Sequence, residues 1–389
     1  ELARLEREYR LEVDVDAVVG ELAVGIRQRV EILKALYRGA QVLILDEPTG
    51  VLTPAEADHL FRILRRLKEE GKTAILITHK LREVMAVTDN VTVMRRGEVV
   101  AQVRTAETSP AQLAEHMVGR KVQLTVARTP PTPGREVLAV ERLAVRDGQG
   151  IERVHDVSFS LRAGEILGIA GVAGNGQSEL IEAIAGMRSV AGGRIVLNGQ
   201  EVASSAMHLT PRQLRDRRLA HIPEDRQRMG LVVPFAAHDS AILGQQADPA
   251  YNYGPLLNQR GIVEACQRKM ESYDVRPGDP ALKCANFSGG NQQKIVLARE
   301  IETDPDLLLV GQPTRGVDIG AIEFIHRRLI QLRDQGKAIL LVSVELDEIL
   351  GLADRILVMN EGRVVGELSA EEADEQKLGL LMAGVAKAA

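Results

Sequence analysis

The sequence predicts an α/β protein in which a mixed, largely parallel sheet with crossover helices is built twice in tandem, the first copy incomplete. Three observations predict it. Residues 41–100 align with residues 306–365 at a constant offset of 265 positions without a gap, so that Pro48-Thr49 falls on Pro313-Thr314, Asp89 on Asp354 and Gly97 on Gly362. Within each copy a continuous apolar run, 42–45 or 307–310, precedes an amphipathic stretch of helical length. A second apolar run follows, 74–78 or 338–343, which is the alternation of a parallel sheet with covering helices. Finally, a strand-like run at 166–170 enters a glycine-rich loop that opens a helix.

Taken in chain order, residues 1–120 read as the C-terminal part of a first copy. Nothing before Gly25 corresponds to the stretch from 136 to about 286, so this copy is expected to lack its own phosphate-binding loop. Residues 121–135 contain Thr129-Pro130-Pro131-Thr132-Pro133-Gly134, which can continue neither helix nor sheet and reads as a linker. A complete second copy then runs over 136–389, with a β-rich start at 136–161.

Composition bounds the function. Hydrophobic residues make up 45% and charged residues 26%, values of a compact globular chain long enough for two cores. A formal charge of −5, with Arg65, Arg66 and Lys68 interleaved with acidic neighbours, gives no footprint for nucleic acid. Cys266 and Cys284 lack metal-ligand spacing, so neither a disulfide framework nor a zinc site is expected, and the compartment reads as reducing. No apolar run is long enough to span a membrane. The start, Glu1-Leu2-Ala3-Arg4, is not a signal peptide and has no initiating Met, as in a fragment or a processed chain.

The chemistry resides in a few short segments. Gly171-Val172-Ala173-Gly174-Asn175-Gly176-Gln177-Ser178 is a phosphate-binding loop whose usual Lys is replaced by Gln177. Its N–H groups and helix N-terminus supply positive potential, and Ser178 can ligate Mg²⁺; a glycine-rich turn is the alternative. In the first copy Val42-Leu43-Ile44-Leu45 ends in Asp46, able to hold Mg²⁺ through water, and Glu47, able to polarise an attacking water. The next strand delivers His79, placed to contact a γ-phosphate. At the equivalent second-copy positions stand Gly311, Gln312 and Val344, none of which can do these tasks. Phe287-Ser288-Gly289-Gly290-Asn291-Gln292-Gln293 precedes a helical stretch at 294–301 and offers a hydroxyl and glycine N–H groups; a plain helix cap is the alternative. The first copy reads Leu22-Ala23-Val24-Gly25 there, without the hydroxyl.

Together these segments resemble the ATP-binding cassette (ABC) family: a degenerate Walker A motif at 171–178, Walker B at Asp46-Glu47, a switch His79 and a signature at Ser288-Gly289-Gly290. The resemblance implies a P-loop NTPase fold with an antiparallel β subdomain and a helical subdomain, and ATP with Mg²⁺ as ligands. ATP-binding residues would be Gly171, Gly174, Asn175, Gly176, Gln177, Ser178, Ser288, Gly289, Gly290 and Gln292. Asp46 and Ser178 would hold metal, and Glu47 and His79 would be catalytic. In that family cassettes pair head to tail, each nucleotide lying between the Walker motifs of one and the signature of the other. Sorted so, Gln177, Gly311, Gln312, Val344, Ala23 and Val24 fall on one site, and the intact residues on the other. Hydrolysis is therefore expected at one site only.

Within the family the chain looks most like the tandem ATPases of bacterial sugar and nucleoside importers, through Ile222-Pro223-Glu224-Asp225-Arg226 and Pro313-Thr314-Arg315-Gly316-Val317-Asp318. Gly311-Gln312 favours the nucleoside branch over the ribose or galactoside branch. The partners implied are transmembrane permease subunits and, indirectly, an extracytoplasmic solute-binding protein. The implied location is peripheral, on the cytoplasmic face of the membrane. The competing class, soluble tandem cassettes acting on ribosomes or nucleic acid, resembles chains with a long charged helical linker, unlike the short Pro-rich one here.

Overall fold

The structure is a computed structural model, and it describes residues 4, 6, 9, 11, 13, 14, 16–19, 22, 24–49, 54–95, 97–121 and 128–384. The chain divides into two compact units, residues 1–124 and 125–389.

Unit 1 contains α1 (Val24–Tyr37), β1 (Val42–Asp46), α2 (Pro54–Glu69), β2 (Thr73–Ile77), α3 (Leu81–Val87), β3 (Asn90–Arg95), β4 (Glu98–Arg104) and α4 (Pro110–Val118). The run Val-Leu-Ile-Leu of β1 pairs in parallel with β2, from Val42 opposite Thr73 to Asp46 opposite Ile77. One face of this pair is packed. Leu43 joins Leu33 and Leu36 of α1 and Leu60, Leu64 and Leu67 of α2, whose apolar residues recur at helical spacing. β3 and β4 form a separate antiparallel hairpin against Leu113 of α4.

Unit 2 begins with β5 (Glu136–Arg146), β6 (Glu152–Arg162), β7 (Ile166–Ala170), α5 (Gln177–Ile184), β8 (Val190–Leu197), β9 (Gln200–Ser204), α6 (Pro211–Arg215) and β10 (Leu219–Ile222). A helical segment follows, with α7 (Ala237–Ser240), the hairpin strands β11 (Asn252–Tyr253) and β12 (Leu256–Leu257), α8 (Gln259–Ser272) and α9 (Gly289–Ile301). The chain returns through β13 (Leu307–Gly311), α10 (Ile319–Asp334), β14 (Ala338–Ser343), α11 (Leu346–Leu352), β15 (Arg355–Asn360), β16 (Arg363–Ser369) and α12 (Glu375–Met382). Among the described residues the main sheet has the order β10-β13-β14-β7-β15-β16, parallel except for β16. A second, antiparallel sheet has the order β6-β5-β8-β9. One core lies between the main sheet and helices α9 to α12, the other between the main sheet and the antiparallel one.

The repeat makes the two units informative about each other. In unit 1 the side chains Val42, Ile44, Ile75 and Ile77 are 54%, 66%, 47% and 51% exposed, whereas their counterparts Leu307, Leu309, Leu340 and Val342 are at most 1% exposed. The difference lies in what covers that face, since in unit 2 these residues pack with Val140, Leu161 and Ile195 of the antiparallel sheet and Leu180 of α5. Among the described residues unit 1 has no such layer. Helix α9 starts before the expected 294, at Gly289, because Ser288 accepts the Asn291 N–H and so satisfies an orphan donor of a helix that takes in both glycines.

One ion pair recurs with different surroundings. Lys68 Nζ lies 2.6 Å from Asp89 Oδ1 at the exposed surface of unit 1. At the same offset in unit 2, Arg333 Nη1 lies 2.8 Å from Asp354 Oδ1 with both side chains buried. Arg333 also donates to Thr129 O and Asp334 Oδ1, and Asp354 Oδ2 accepts the Ile166 N–H, so the pair ties residue 129 to β7 and β15. Removing one member of a buried pair strands the other charge. Arg333→Met is therefore expected to lower the stability of the chain by about 3 kcal/mol in urea denaturation, and Lys68→Met by less than about 1 kcal/mol.

Candidate functional site

Parallel pairing brings β1 and β2 to a common edge, and the chemistry of unit 1 sits just beyond it. Asp46, the last residue of β1, is exposed. Glu47 follows with a left-handed backbone, φ 46°, and its N–H donates to Ile77 O at 2.8 Å. That conformation is costly for a residue with a Cβ and is found where the surroundings impose it. Here it turns the Glu47 side chain toward the end of β2, where its Oε1 lies 2.7 Å from His79 Nδ1. The sequence-predicted base and switch histidine are thus in direct contact. An ionised carboxylate only accepts, so Nδ1 carries the proton in this pair. Beneath them Thr49 hydroxyl donates to the Glu83 carboxylate, a buried pair. Burial pushes the Glu83 carboxyl up, opposed mainly by a hydrogen bond from Thr78.

Unit 2 has the same backbone device with other side chains. Gln312 again has φ 46°, and its N–H donates to Val342 O at 2.8 Å. Its Oε1 accepts the Val344 N–H at 3.2 Å, so the amide is tied to the backbone at the histidine position. Neither a base nor a phosphate contact results.

The glycine-rich loop leaves β7 and enters α5. Gly174 and Gly176 have φ of 92° and 95°, open to glycine, and a Cβ on Gly176 would lie 2.3 Å from Arg153 O. Gln177 is 5% exposed and folds back into the loop: its Nε2 donates to Val172 O at 3.1 Å and occupies the space where a Gly171 Cβ would stand, 2.1 Å away. Asn175 Nδ2 donates to Asn360 Oδ1. Ser178 Oγ donates to Glu224 Oε2 at 2.7 Å. Burial raises the Glu224 carboxyl from its ordinary value, against the lowering effect of the Ser178 hydrogen bond and the nearby Arg315 cation.

At the start of α9, Ser288 is exposed and caps the helix, accepting from Asn291 N and Nδ2. Gly289 and Gly290 are there because the site is crowded. A Cβ on Gly289 would lie 2.5 Å from both Arg226 Nη2 and Gly316 O, and one on Gly290 would lie 3.0 Å from Asp318 Oδ2. Gln292, expected among the ATP-binding residues, is instead held inside. It is buried, with Nε2 donating to Cys284 O and Phe287 O and Oε1 accepting from Gln227. A helical position three to four residues past the cap faces inward, which a linear motif does not reveal. Ala23 and the side chain of Val24 lie outside the described residues.

Arg226 and Glu224, the latter standing by resemblance where most cassettes place a glutamine, were not among the expected site residues. Arg226 donates to the carbonyls of Arg315 and Gly316 and so latches the loop after β13 beside the signature glycines. Glu224 reaches Ser178 and Gly311. Both follow β10, whose pairing with β13, Ile222 opposite Val310, is a contact between distant parts of the chain.

The sequence matches the ABC transporter family over residues 1–50 and 154–315. The chain belongs to the ABC transporter family. It is 44% identical over 383 residues to the nucleoside import ATP-binding protein NupA of Lactococcus lactis subsp. cremoris, covering 98% of this chain and 75% of that protein. To the guanosine import ATP-binding protein NupO of Bacillus subtilis it is 46% identical over 384 residues, 99% of this chain and 74% of that protein. The glucose import ATP-binding protein TsgD13 of Haloferax volcanii is 46% identical over 98% of this chain and 69% of its own length. Among solved structures, the ADP conformation of MJ1267, an ATP-binding cassette of an ABC transporter, has a TM-score of 0.51 at 20% identity, covering 64% of this chain and 96% of that one. That likeness concerns the fold: the P-loop cassette, α/β with a mixed sheet. By the family match and these import ATP-binding relatives the chain is an ATPase of the ABC type. No described helix is long and apolar enough to cross a membrane.

The inward Gln177 gives a direct test of the loop. A lysine charge about 4 Å from phosphate is worth up to about 4 kcal/mol at an intermediate effective dielectric. Gln177→Lys is expected to tighten ATP binding to the chain by about tenfold or more, a gain of at least about 1.4 kcal/mol. A fluorescent ATP analogue titrated against both proteins checks this, and unchanged affinity would remove residues 171–178 from the nucleotide site.

Proposed function

We propose that this chain energises an importer of nucleosides by hydrolysing ATP at a site built on Glu47 and His79, while the site built on residues 171–178 binds nucleotide without turning it over. The observation that carries the reading is one contact with two outcomes. In unit 1 the turn after the strand presents Glu47 to His79 at 2.7 Å. In unit 2 the same turn presents Gln312 to a backbone N–H at 3.2 Å.

The chemistry follows from what each side chain can do. Glu47 holds an open carboxylate oxygen for the proton of an attacking water, the part of a general base. His79 Nδ1, 2.7 Å from Glu47 Oε1, ties the ring to the carboxylate and leaves Nε2 for a γ-phosphate oxygen, fixing both groups against one phosphoryl centre. Mg²⁺, when bound, neutralises charge on the β- and γ-phosphates, and the exposed Asp46 carboxylate fits it on unit 1 as the Ser178 hydroxyl does on unit 2. The two units are read as tandem cassettes that serve transmembrane permease subunits from the cytoplasmic face. An extracytoplasmic binding protein would deliver the solute.

Nucleosides are favoured over sugars by the names of two relatives, a nucleoside and a guanosine import ATP-binding protein at 44% and 46% identity. The glucose import relative, also at 46%, keeps a monosaccharide as the second reading. Uptake of labelled guanosine and labelled glucose by cells carrying the assembled transporter, with and without this chain, separates them: loss of glucose uptake alone would replace the first reading by the second.

For hydrolysis, Glu47→Gln in the assembled transporter is expected to lower kcat by roughly 10²–10⁴-fold with ATP binding retained. Gln312→Ala is expected to leave kcat within about twofold, since Val344 and Gly311 supply no chemistry for it to support. Equal losses in the two variants would mean that both units hydrolyse.

A further inference from the structure

The glycine-rich loop of unit 2 is surrounded by like charges. Burial raises the Glu224 carboxyl most, the Ser178 hydrogen bond and the Arg315 cation oppose it, and the Glu182 and Glu179 carboxylates add to the rise. With a neutral Gln177 in the lysine position, phosphates in this loop would meet those carboxylates and only the helix N-terminus, worth about half an elementary charge, in their favour. The cation felt at Glu224 comes from the turn after β13. Arg315 is exposed, and the backbone on either side of its side chain is held: its N–H donates to Gln312 O at 3.2 Å, its carbonyl accepts from Arg226 Nη1 at 2.6 Å, and Gly316 O accepts from Arg226 Nη2 at 3.3 Å. That turn starts at Gly311, where a Cβ would lie 2.6 Å from Glu224 Cγ, and Glu224 Oε2 accepts from Ser178 Oγ of the loop at 2.7 Å. The Arg315 guanidinium itself has no hydrogen-bond or ion-pair partner among the described residues. At the same repeat position unit 1 has Gly50.

We propose that Arg315 supplies the phosphate-binding cation that is missing at residue 177, so that a nucleotide held by residues 171–178 is gripped from the turn after β13 instead of from α5. The proposal rests on reading that loop as a nucleotide site. Coulomb attraction depends on distance and dielectric and not on which strand end carries the charge, so a cation on a neighbouring turn serves as well as one in the loop. Guanidinium suits the task. It stays charged at any working pH and offers a planar fork of donors that matches two phosphate oxygens at once, where a lysine brings a point charge. The two bonds from Arg226 fix the turn that carries it, which leaves only the side-chain torsions of Arg315 to be ordered when phosphate arrives. Gln177 cannot compete for the part, since it is neutral, 5% exposed and turned back to Val172 O. The exchange is confined to unit 2: the unit with the neutral residue at 177 carries Arg315, and the unit with Glu47 and His79 carries glycine at that repeat position.

The test is an equilibrium titration of ATP against the purified full chain at low and at high salt, for the wild type and four variants. Arg315→Ala keeps the carbonyl that Arg226 holds and removes an exposed side chain, so its thermal unfolding is expected to match the wild type. Its ATP affinity is expected to fall about tenfold or more, the scale of one charge-assisted contact, with a shallower salt dependence. Arg315→Lys retains the charge and is expected to keep most of the affinity. Adding Gln177→Lys to Arg315→Ala is expected to bring affinity back to about the wild-type level, and Gln177→Lys is expected to gain more in that background than alone, because the two cations serve one phosphate group. Undiminished affinity in Arg315→Ala overturns the assignment, as does a Lys variant no better than the Ala variant. Equal gains from Gln177→Lys in the two backgrounds overturn the exchange between positions 177 and 315. A wild-type chain that binds no ATP at either salt overturns instead the reading of the loop on which the proposal stands.

Discussion

The candidate chemistry depends on parallel pairing in register. When two parallel strands end level, as Asp46 and Ile77 do, the residues just past their ends share one edge, and short turns suffice to bring them into contact. The turn after β1 is fixed by the Glu47 N–H bonded to Ile77 O, which holds Glu47 in a left-handed conformation and aims its side chain at His79. Unit 2 repeats the bond and the dihedral angle with Gln312 and Val342. The backbone device is therefore independent of the chemistry it presents.

That independence lets two units that share a sequence repeat differ in chemistry without refolding. Residue 47 and residue 312 differ in whether they can accept a proton, residues 79 and 344 in whether they can touch phosphate, and neither difference disturbs the strands behind them. Surroundings shape the units more deeply than the site does. Apolar residues at identical repeat positions are half exposed in one unit and fully buried in the other, and one ion pair is a solvated surface contact in the first and a buried tie in the second. Equal sequence patterns thus carry very unequal energies, because both hydrophobic burial and the cost of stranding a charge scale with what covers them.

Much of this was legible in the sequence. The gapless repeat, the apolar runs and the glycine-rich loop are local patterns, and they correctly placed the parallel strands β1, β2, β7, β13 and β14 and the helix after the loop. The pairing of Glu47 with His79 was also within reach, since each ends a neighbouring strand. Less legible was whatever depends on contacts between distant segments. Gln292 belongs to a binding-type motif, but the turn of α9 points it at Cys284 and Phe287. The meeting of Glu224 with Gly311 follows from β10 lying beside β13, and no spacing along the chain announces it.

The pattern of loss in unit 2 has a physical logic. On the proposed reading the general base and the phosphate contact are the side chains of Glu47 and His79, and those are the groups replaced at Gln312 and Val344. As a proposed phosphate cradle the loop would rely on backbone: N–H groups held by glycines at φ near 90° and the first turn of α5. A site can therefore shed its catalytic side chains and keep the geometry for phosphate, provided that glycines 174 and 176 stay. Gly176 is fixed twice over, by its dihedral angle and by the carbonyl of Arg153 that leaves no room for a Cβ.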